Sequence, residues 1–252
     1  MQINGKVTCE LAQLDLSSHS GVEAFANDVV RQKVCIHSFY VNFCWTHVAC
    51  LQLESAAFSN AVFISNAGTL HPLGRFDCIA SKVSLAELSR QIDINLTSHL
   101  WLSSFVAAAF QQQISNEAVI VNVSSLAAIQ ALPTWGAYCS HKAARDMGLA
   151  TAAAEGAAAS ASCSLAYLNW APGPMDGNMQ TVIRTDPAVD PSLRDWSSKA
   201  LADGELVPMQ HSADALAVLL AQPPQDRTWT SGAHVDFFDE PVQAAWKAAS
   251  AS

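Results

Sequence analysis

Basic residues are scarce and scattered: 13 Lys and Arg stand against 22 Asp and Glu, for a net charge of −9, and no run concentrates the cations. Phosphate backbones are bound by clustered positive charge, so the expected partner is a small molecule and not nucleic acid. The sequence also lacks an uncharged apolar run of the roughly 20 residues that a bilayer-spanning helix needs, and residues 1–10 lack the basic-then-apolar order of a secretory leader. No membrane partner is expected, and the location reads as cytoplasmic. Paired cysteine spacings are missing as well. The seven cysteines (Cys9, Cys35, Cys44, Cys50, Cys78, Cys139, Cys163) sit in unrelated surroundings and read as reduced thiols. Cys35, His37, Cys44, His47 and Cys50 fall close together but without Cys-x-x-Cys or His-x-x-x-His spacing, so no metal is expected.

Half of the 252 residues are apolar, enough for one substantial core. Residues 1–252 read as a single domain with an atypical segment at 31–60, where cysteines and aromatics follow no clean period. Branched and apolar residues predict strands at 7–16, 61–65, 118–123, 164–169 and 233–238. Helices are predicted at 18–30, 85–113, 136–156 and 212–220, the third of them rich in alanine. Residues 178–207 mix polar residues with Trp196 and two prolines, and read as a mobile substrate-covering loop with short helices. Alternating strands and helices predict an α/β fold with a doubly wound, mostly parallel sheet, whose ligands bind beyond the carboxyl ends of the strands.

The polar motifs fall at those ends. Tyr138 and Lys142 are four apart on a predicted helix, so their side chains share a face, one turn apart. An ammonium held near a phenol favours the phenolate, which predicts a lowered tyrosine pKa. Ser125 follows the strand at 118–123, where a hydroxyl can reach a carbonyl in the same crevice. Tyr-x-x-x-Lys alone is a weak signal. The ordered set is far stronger: Asn66-Ala67-Gly68 after one strand, Asn95 in a helix, Ser124-Ser125 after the next strand, the Tyr/Lys pair, then Pro172-Gly173-Pro174 after another.

With those motifs the sequence resembles the short-chain dehydrogenase/reductase family over roughly residues 61–240 and more loosely over 7–30. The family's Asn, Ser, Tyr, Lys tetrad matches Asn95, Ser125, Tyr138 and Lys142, and its Asn-Ala-Gly motif matches Asn66, Ala67 and Gly68. Val123-Ser124-Ser125-Leu126, Trp135-Gly136-Ala137-Tyr138-Cys139, Lys142-Ala143-Ala144-Arg145-Asp146-Met147 and Ser231-Gly232-Ala233-His234-Val235-Asp236-Phe237 resemble its pterin-reducing branch. The resemblance implies a Rossmann-like fold, NADPH as cofactor, and reduction of a pterin side-chain ketone in the last step toward tetrahydrobiopterin. It implies that Tyr138 gives the proton, Ser125 hydrogen-bonds the carbonyl oxygen, Lys142 holds the nicotinamide ribose, and Asn95 positions a relay water. Cofactor contacts are implied for Asp15, Leu16, Asn66, Ala67, Gly68 and the stretch Met175, Asp176, Gly177, Asn178, Met179, Gln180, with Gly177 where the family more usually carries threonine. Substrate contacts are implied for Ser125, Leu126, Tyr138, Gly173 and Asp236, and a homodimer through the helices at 85–113 and 136–156. A cap on the following helix is an equally good reading of Asp15.

A dinucleotide-binding sheet normally opens with a strand, a glycine-rich turn and a helix N-terminus that holds the pyrophosphate. The sequence has no such turn, and two strands, the central one among them, are expected to be missing from the sheet. Two further readings follow: a catalytically impaired isoform or paralogue that pairs with a complete subunit, or a reductase of another small carbonyl compound.

Overall fold

The computed structural model describes residues 8–12, 15–27, 36–41, 48–52, 59–156 and 163–250, with backbone alone at 8–12, 36–41 and 48–52. One sheet of seven strands has the order β1-β3-β2-β4-β5-β6-β7. Its strands are β1 (Thr8–Ala12), β2 (Ile36–Val41), β3 (Val48–Gln52), β4 (Asn60–Ser65), β5 (Glu117–Val123), β6 (Ser164–Ala171) and β7 (His234–Asp236). From β2 through β7 the neighbours in the order run parallel, whereas β3 is antiparallel to both β2 and β1. The doubly wound α/β arrangement is thus present. The stretch without a clean period supplies β2 and β3, and β2 takes the place beside β4, with Val41 opposite Ser65. The side chains of Cys35, His37, Cys44, His47 and Cys50 lie outside the described residues.

The strand β5 shows why the parallel part is stable. Its run of Val119, Ile120 and Val121 is buried on both faces, as expected where helices cover a parallel sheet on each side. Ala118 and Ile120 enter a core with Phe63, Val106, Phe110, Leu149 and Tyr167. Val119 and Val121 point the other way, into a core with Leu168, Leu219, Trp229 and Val235. The first core is roofed by α1 (His19–Phe25), α4 (Ser98–Gln113) and α5 (Gly136–Glu155), the second by α8 (Met209–Leu220) and α9 (Glu240–Ser250). Tyr138, His141, Lys142, Arg145 and Leu149 make the buried face of α5, at the three- and four-residue spacing of a helix stripe. Among the described residues no helix is long and apolar enough to cross a membrane.

Several elements differ from the sequence reading. The helix predicted at 85–113 is divided into α3 (Leu85–Ile92) and α4 by a π-helical turn at Asp93–Thr97 that carries Asn95, and upstream of it lies the short α2 (Ile79–Lys82). Wide turns of this kind recur at functional sites because they re-aim a side chain without ending the helix. Residues 178–207 form two helices, α6 (Asn178–Thr185) and α7 (Pro191–Ala202). The start of α7 was readable: Asp190 caps it by accepting from the Ser192 amide, and Pro191 occupies the first turn. β7 is shorter than predicted because the Asp236 carboxylate accepts from the Phe238 amide and turns the chain. Residues 7, 13 and 14 of the predicted first strand and 28–30 of the predicted first helix lie outside the described residues.

Leu168 has no solvent exposure. Leu168→Ala is expected to lower the unfolding free energy by about 2–5 kcal/mol, the range for a leucine deleted from a core that cannot fully collapse; urea denaturation with an unchanged slope would measure it.

Candidate active site

At the carboxyl end of the sheet, the face that buries Phe63, Ile120 and Tyr167 turns polar. Ser65, Asn122, Asn169 and His234 stand opposite one another across β4, β5, β6 and β7. Each is one step further along its strand on the face toward α5. Buried polar groups require partners, and two consecutive residues of α5 supply most of them. Arg145 is 1% exposed, and its guanidinium donates to the carbonyls of Ala67 (2.6 Å) and Ser65 (2.8 Å) and to Asn122 Oδ1 (2.7 Å). Asp146 accepts from Asn122 Nδ2 (2.8 Å) and pairs with His234 Nδ1 (2.6 Å), while Asn169 Nδ2 donates to the Asp146 carbonyl. Burial lowers the Arg145 pKa to about 10, against the opposing pull of Tyr138 and Asp146. It is still charged at neutral pH.

This clamp seats the predicted catalytic side chains. Lys142, one turn before Asp146, is buried, and its Nζ donates to the Val123 carbonyl at the end of β5 (2.6 Å). That ammonium lies 5.6 Å from the centre of the Tyr138 ring. Tyr138 is buried in a small cluster with Leu70, Leu73, Ala127, Trp135 and Ile183; its hydroxyl faces Met179 Sδ at 3.8 Å. Burial pushes the phenol up to about 12, and the Arg145 charge and a hydrogen bond with Ser125 only partly oppose it. The lowering expected from Lys142 is therefore not found. Lys142 is itself held well below the usual lysine value, first by burial and then by Arg145. Desolvation is the largest influence on both groups.

Asn95 lies in the π turn with its amide committed. Oδ1 accepts from the Thr69 amide (2.7 Å), and Nδ2 donates to the Thr69 carbonyl (2.9 Å) and to His141 Nδ1 (3.1 Å). With both amide hydrogens given, His141 must accept at Nδ1, as a neutral ring can; burial, then Arg145, lowers the His141 pKa in agreement. A Cβ on Gly68 would lie 3.4 Å from Asn95 Oδ1 and 3.9 Å from Lys142 Nζ. Those are ordinary contact distances, and they place the Asn66-Ala67-Gly68 segment beside Asn95 and Lys142. These residues fit the ribose side of a nicotinamide cofactor. Among the described residues no glycine-rich turn stands on the pyrophosphate side; β2 ends at Val41, and residues 42–47, which lie outside the described residues, read Asn-Phe-Cys-Trp-Thr-His in the sequence.

The other predicted contacts divide. Gly173 has φ +77°, and a Cβ on it would meet Val207 Cγ2 at 2.9 Å and Phe238 Cε2 at 3.3 Å, so only glycine suits this bend. Met175 bridges Val207, Asp176 meets Arg184 at 3.4 Å, and Gly177 caps α6, which begins at Asn178. A side chain at 177 would press on Met209 Cε, 3.0 Å from its Cβ, so the neighbouring methionine has taken the space of a larger residue. Met179 reaches the Tyr138 hydroxyl, but Gln180 is buried and accepts from Ser197. Leu126 is exposed beside Ser125. Asp236 is half-buried and its pKa is raised, first by that burial. Asp15 is exposed and bound by the amide and hydroxyl of Ser17, and Leu16 lies in the core, so the helix is capped by Ser18 instead. Arg145, Asp146, Asn122, Asn169, His141 and Thr69 escaped the sequence reading as site residues. Asn122 and Asn169 carried a signal: each is an amide inside an otherwise apolar strand.

A family model described as short chain dehydrogenase matches residues 59–188. Sepiapterin reductase of Rattus norvegicus is 40% identical over 178 residues, covering 71% of this chain and 63% of the rat protein. The sepiapterin reductase of Xenopus tropicalis is 35% identical over 188 residues, 75% of this chain and 67% of the relative. Benzil reductase of Bacillus subtilis is 34% identical over 138 residues, 55% of this chain and 54% of that protein. The chain thus spans less than two thirds of the rat relative's length. Among solved structures, a short-chain dehydrogenase/reductase from Saccharomyces cerevisiae superposes with a TM-score of 0.66 at 20% identity, over 91% of this chain and 77% of that one. A gluconate 5-dehydrogenase from Burkholderia cenocepacia, in complex with NADP and tartrate, gives 0.62 at 17% identity over 92% and 74%. These two likenesses establish the fold.

Two outcomes follow from the geometry. The absorbance difference between the unsubstituted chain and Tyr138→Phe is expected to show no phenolate below about pH 10, given a free tyrosine value near 10 and the upward shift; phenolate near neutral pH would contradict it. Arg145→Met, which strands three buried neutral acceptors, is expected to destabilise the fold in urea denaturation, at about 1–3 kcal/mol for each acceptor left unpaired.

Proposed function

The chain belongs to the short-chain dehydrogenase family, and we propose that it is an oxidoreductase reducing the side-chain carbonyl of a pterin with NADPH. The convergence of Ser125, Tyr138 and Lys142 at the carboxyl ends of β4 and β5, with Asp236 at the same end of β7, carries the reading. Its support beyond the site is the likeness to sepiapterin reductases.

Tyr138 is protonated at neutral pH, with a pKa of about 12, and so acts as the acid. NADPH, when bound, supplies the hydride to the carbonyl carbon. The Tyr138 hydroxyl gives its proton to the carbonyl oxygen as negative charge builds there, and the Ser125 hydroxyl donates a hydrogen bond to the same oxygen. The phenolate left behind faces the Arg145 charge, which favours it. Lys142 would hold the ribose hydroxyls beside Gly68. Asn95, tied to Thr69 and His141, fixes the wall of that space rather than offering a free amide to a water. Asp236 keeps acceptor capacity beyond the Phe238 amide, and a carboxylate can take paired hydrogen bonds from an amino-pyrimidine edge.

A homodimer through α4 and α5 is part of the proposal. A groove of about 510 Å³ between them is lined by Leu100, Ser104, Ala108, Gly148 and Ala152, small enough residues for close helix approach. The absence of a glycine-rich turn favours a second reading, in which the chain serves as a subunit without its own turnover.

NADPH binding followed by nicotinamide fluorescence separates the two. The proposed activity predicts saturable binding and NADPH consumption on adding sepiapterin, with Tyr138→Phe slower by roughly 10²–10⁴, the span of general acid catalysis. A folded chain that neither binds nor consumes NADPH would leave only the subunit reading.

A further inference from the structure

The strand carrying Asp236 is weakly held by its backbone. β7 has three residues, lies at the end of the sheet and pairs with β6 alone, with Asn169 opposite His234 and Ala171 opposite Asp236. His234 and Asp236 are two apart, so their side chains share a face. On that face His234 Nδ1 meets Asp146 Oδ2 at 2.6 Å, with both side chains mostly buried, at 16% and 13% exposure. Asp146 Oδ1 is fixed in turn by Asn122, which Arg145 holds. The same helix turn presents Lys142 to Val123.

We propose that Asp146 and His234 are a positioning pair, which sets β7 against α5 and thereby places the Asp236 carboxylate at a fixed offset from Tyr138. The idea rests on the pterin reading for its consequence in substrate binding. Three carboxylates face the His234 ring: Asp146 from α5, and Asp236 and Asp239 from its own strand and turn; Arg145 stands behind Asn122. The hydrogen bond to Asp146 raises the His234 pKa against an opposing burial effect. The charged pair is therefore complete below the ordinary histidine value near 6.5 and is lost as pH rises through the raised one. Pterin binding should weaken over that alkaline limb.

The test uses the full chain with Asp146→Asn, His234→Leu and, as the conservative variant, His234→Gln, which keeps a donor. Amide hydrogen exchange at 234–236 and dissociation constants for sepiapterin and NADPH are measured together. Asp146→Asn and His234→Leu are expected to speed exchange there and to weaken sepiapterin on the order of tenfold, a coupling typical of contacting residues. NADPH affinity should stay unchanged in His234→Leu, and His234→Gln should restore most of both losses and flatten the pH limb. In an Asp236→Ala background, Asp146→Asn should weaken sepiapterin no further. Unchanged exchange at 234–236, or full additivity with Asp236→Ala, overturns the pair. If the unsubstituted chain fails to bind sepiapterin while Asp146→Asn still speeds exchange, the pterin reading falls and the positioning pair stands.

Discussion

The site depends on one buried guanidinium. Arg145 ties together the ends of β4 and β5 and the Asn66-Ala67-Gly68 turn through its bonds to Ser65, Ala67 and Asn122. Where parallel strands end, carbonyls past the last ladder bond have no strand partner, and buried ones must be satisfied by other groups. A single planar cation with five donors can meet several of them at once. Burial lowers Lys142 and His141 first, and the Arg145 charge lowers them further while favouring the Tyr138 phenolate.

Burial beside that charge explains why Tyr138 keeps its proton at neutral pH. The same burial that excludes water from the phenol penalises its ionised form more than the Arg145 charge and the Ser125 hydrogen bond relieve it. A proton held this firmly is released only when an acceptor gains negative charge next to it. Neutral His141 and the locked Asn95 amide extend the rigid wall, so little around the tyrosine need rearrange during proton transfer.

How far the site was legible depended on range. Tyr138 and Lys142 could be read together because helical periodicity places residues four apart on one face. Ser125, Asn66 and Gly173 could be read because each directly follows an apolar strand. The row Ser65, Asn122, Asn169 and His234 could not, since its members come from four strands whose register is a tertiary property. The π turn around Asn95 leaves no mark in a pattern of apolar spacing. Residues 178–207 looked irregular because α6 and α7 bury few side chains, although Asp190-Pro191 announced the second. β2 and β3 were not read because His37-Ser38 break the apolar pattern of the first, and the run Val48-Ala49-Cys50-Leu51 of the second is too short to tell strand from helix.

The sequence by itself determined the α/β class and the order of its polar motifs, because these follow from local periodicity and from what sits at strand ends. Only the tertiary structure decided the ionisation of Tyr138, the partners of Lys142 and Asn95, and the chain of contacts from Arg145 to Asp146 and His234. Those depend on burial and on groups brought together from distant strands, and desolvation in such a setting outweighs any pairing that spacing along the chain can foretell.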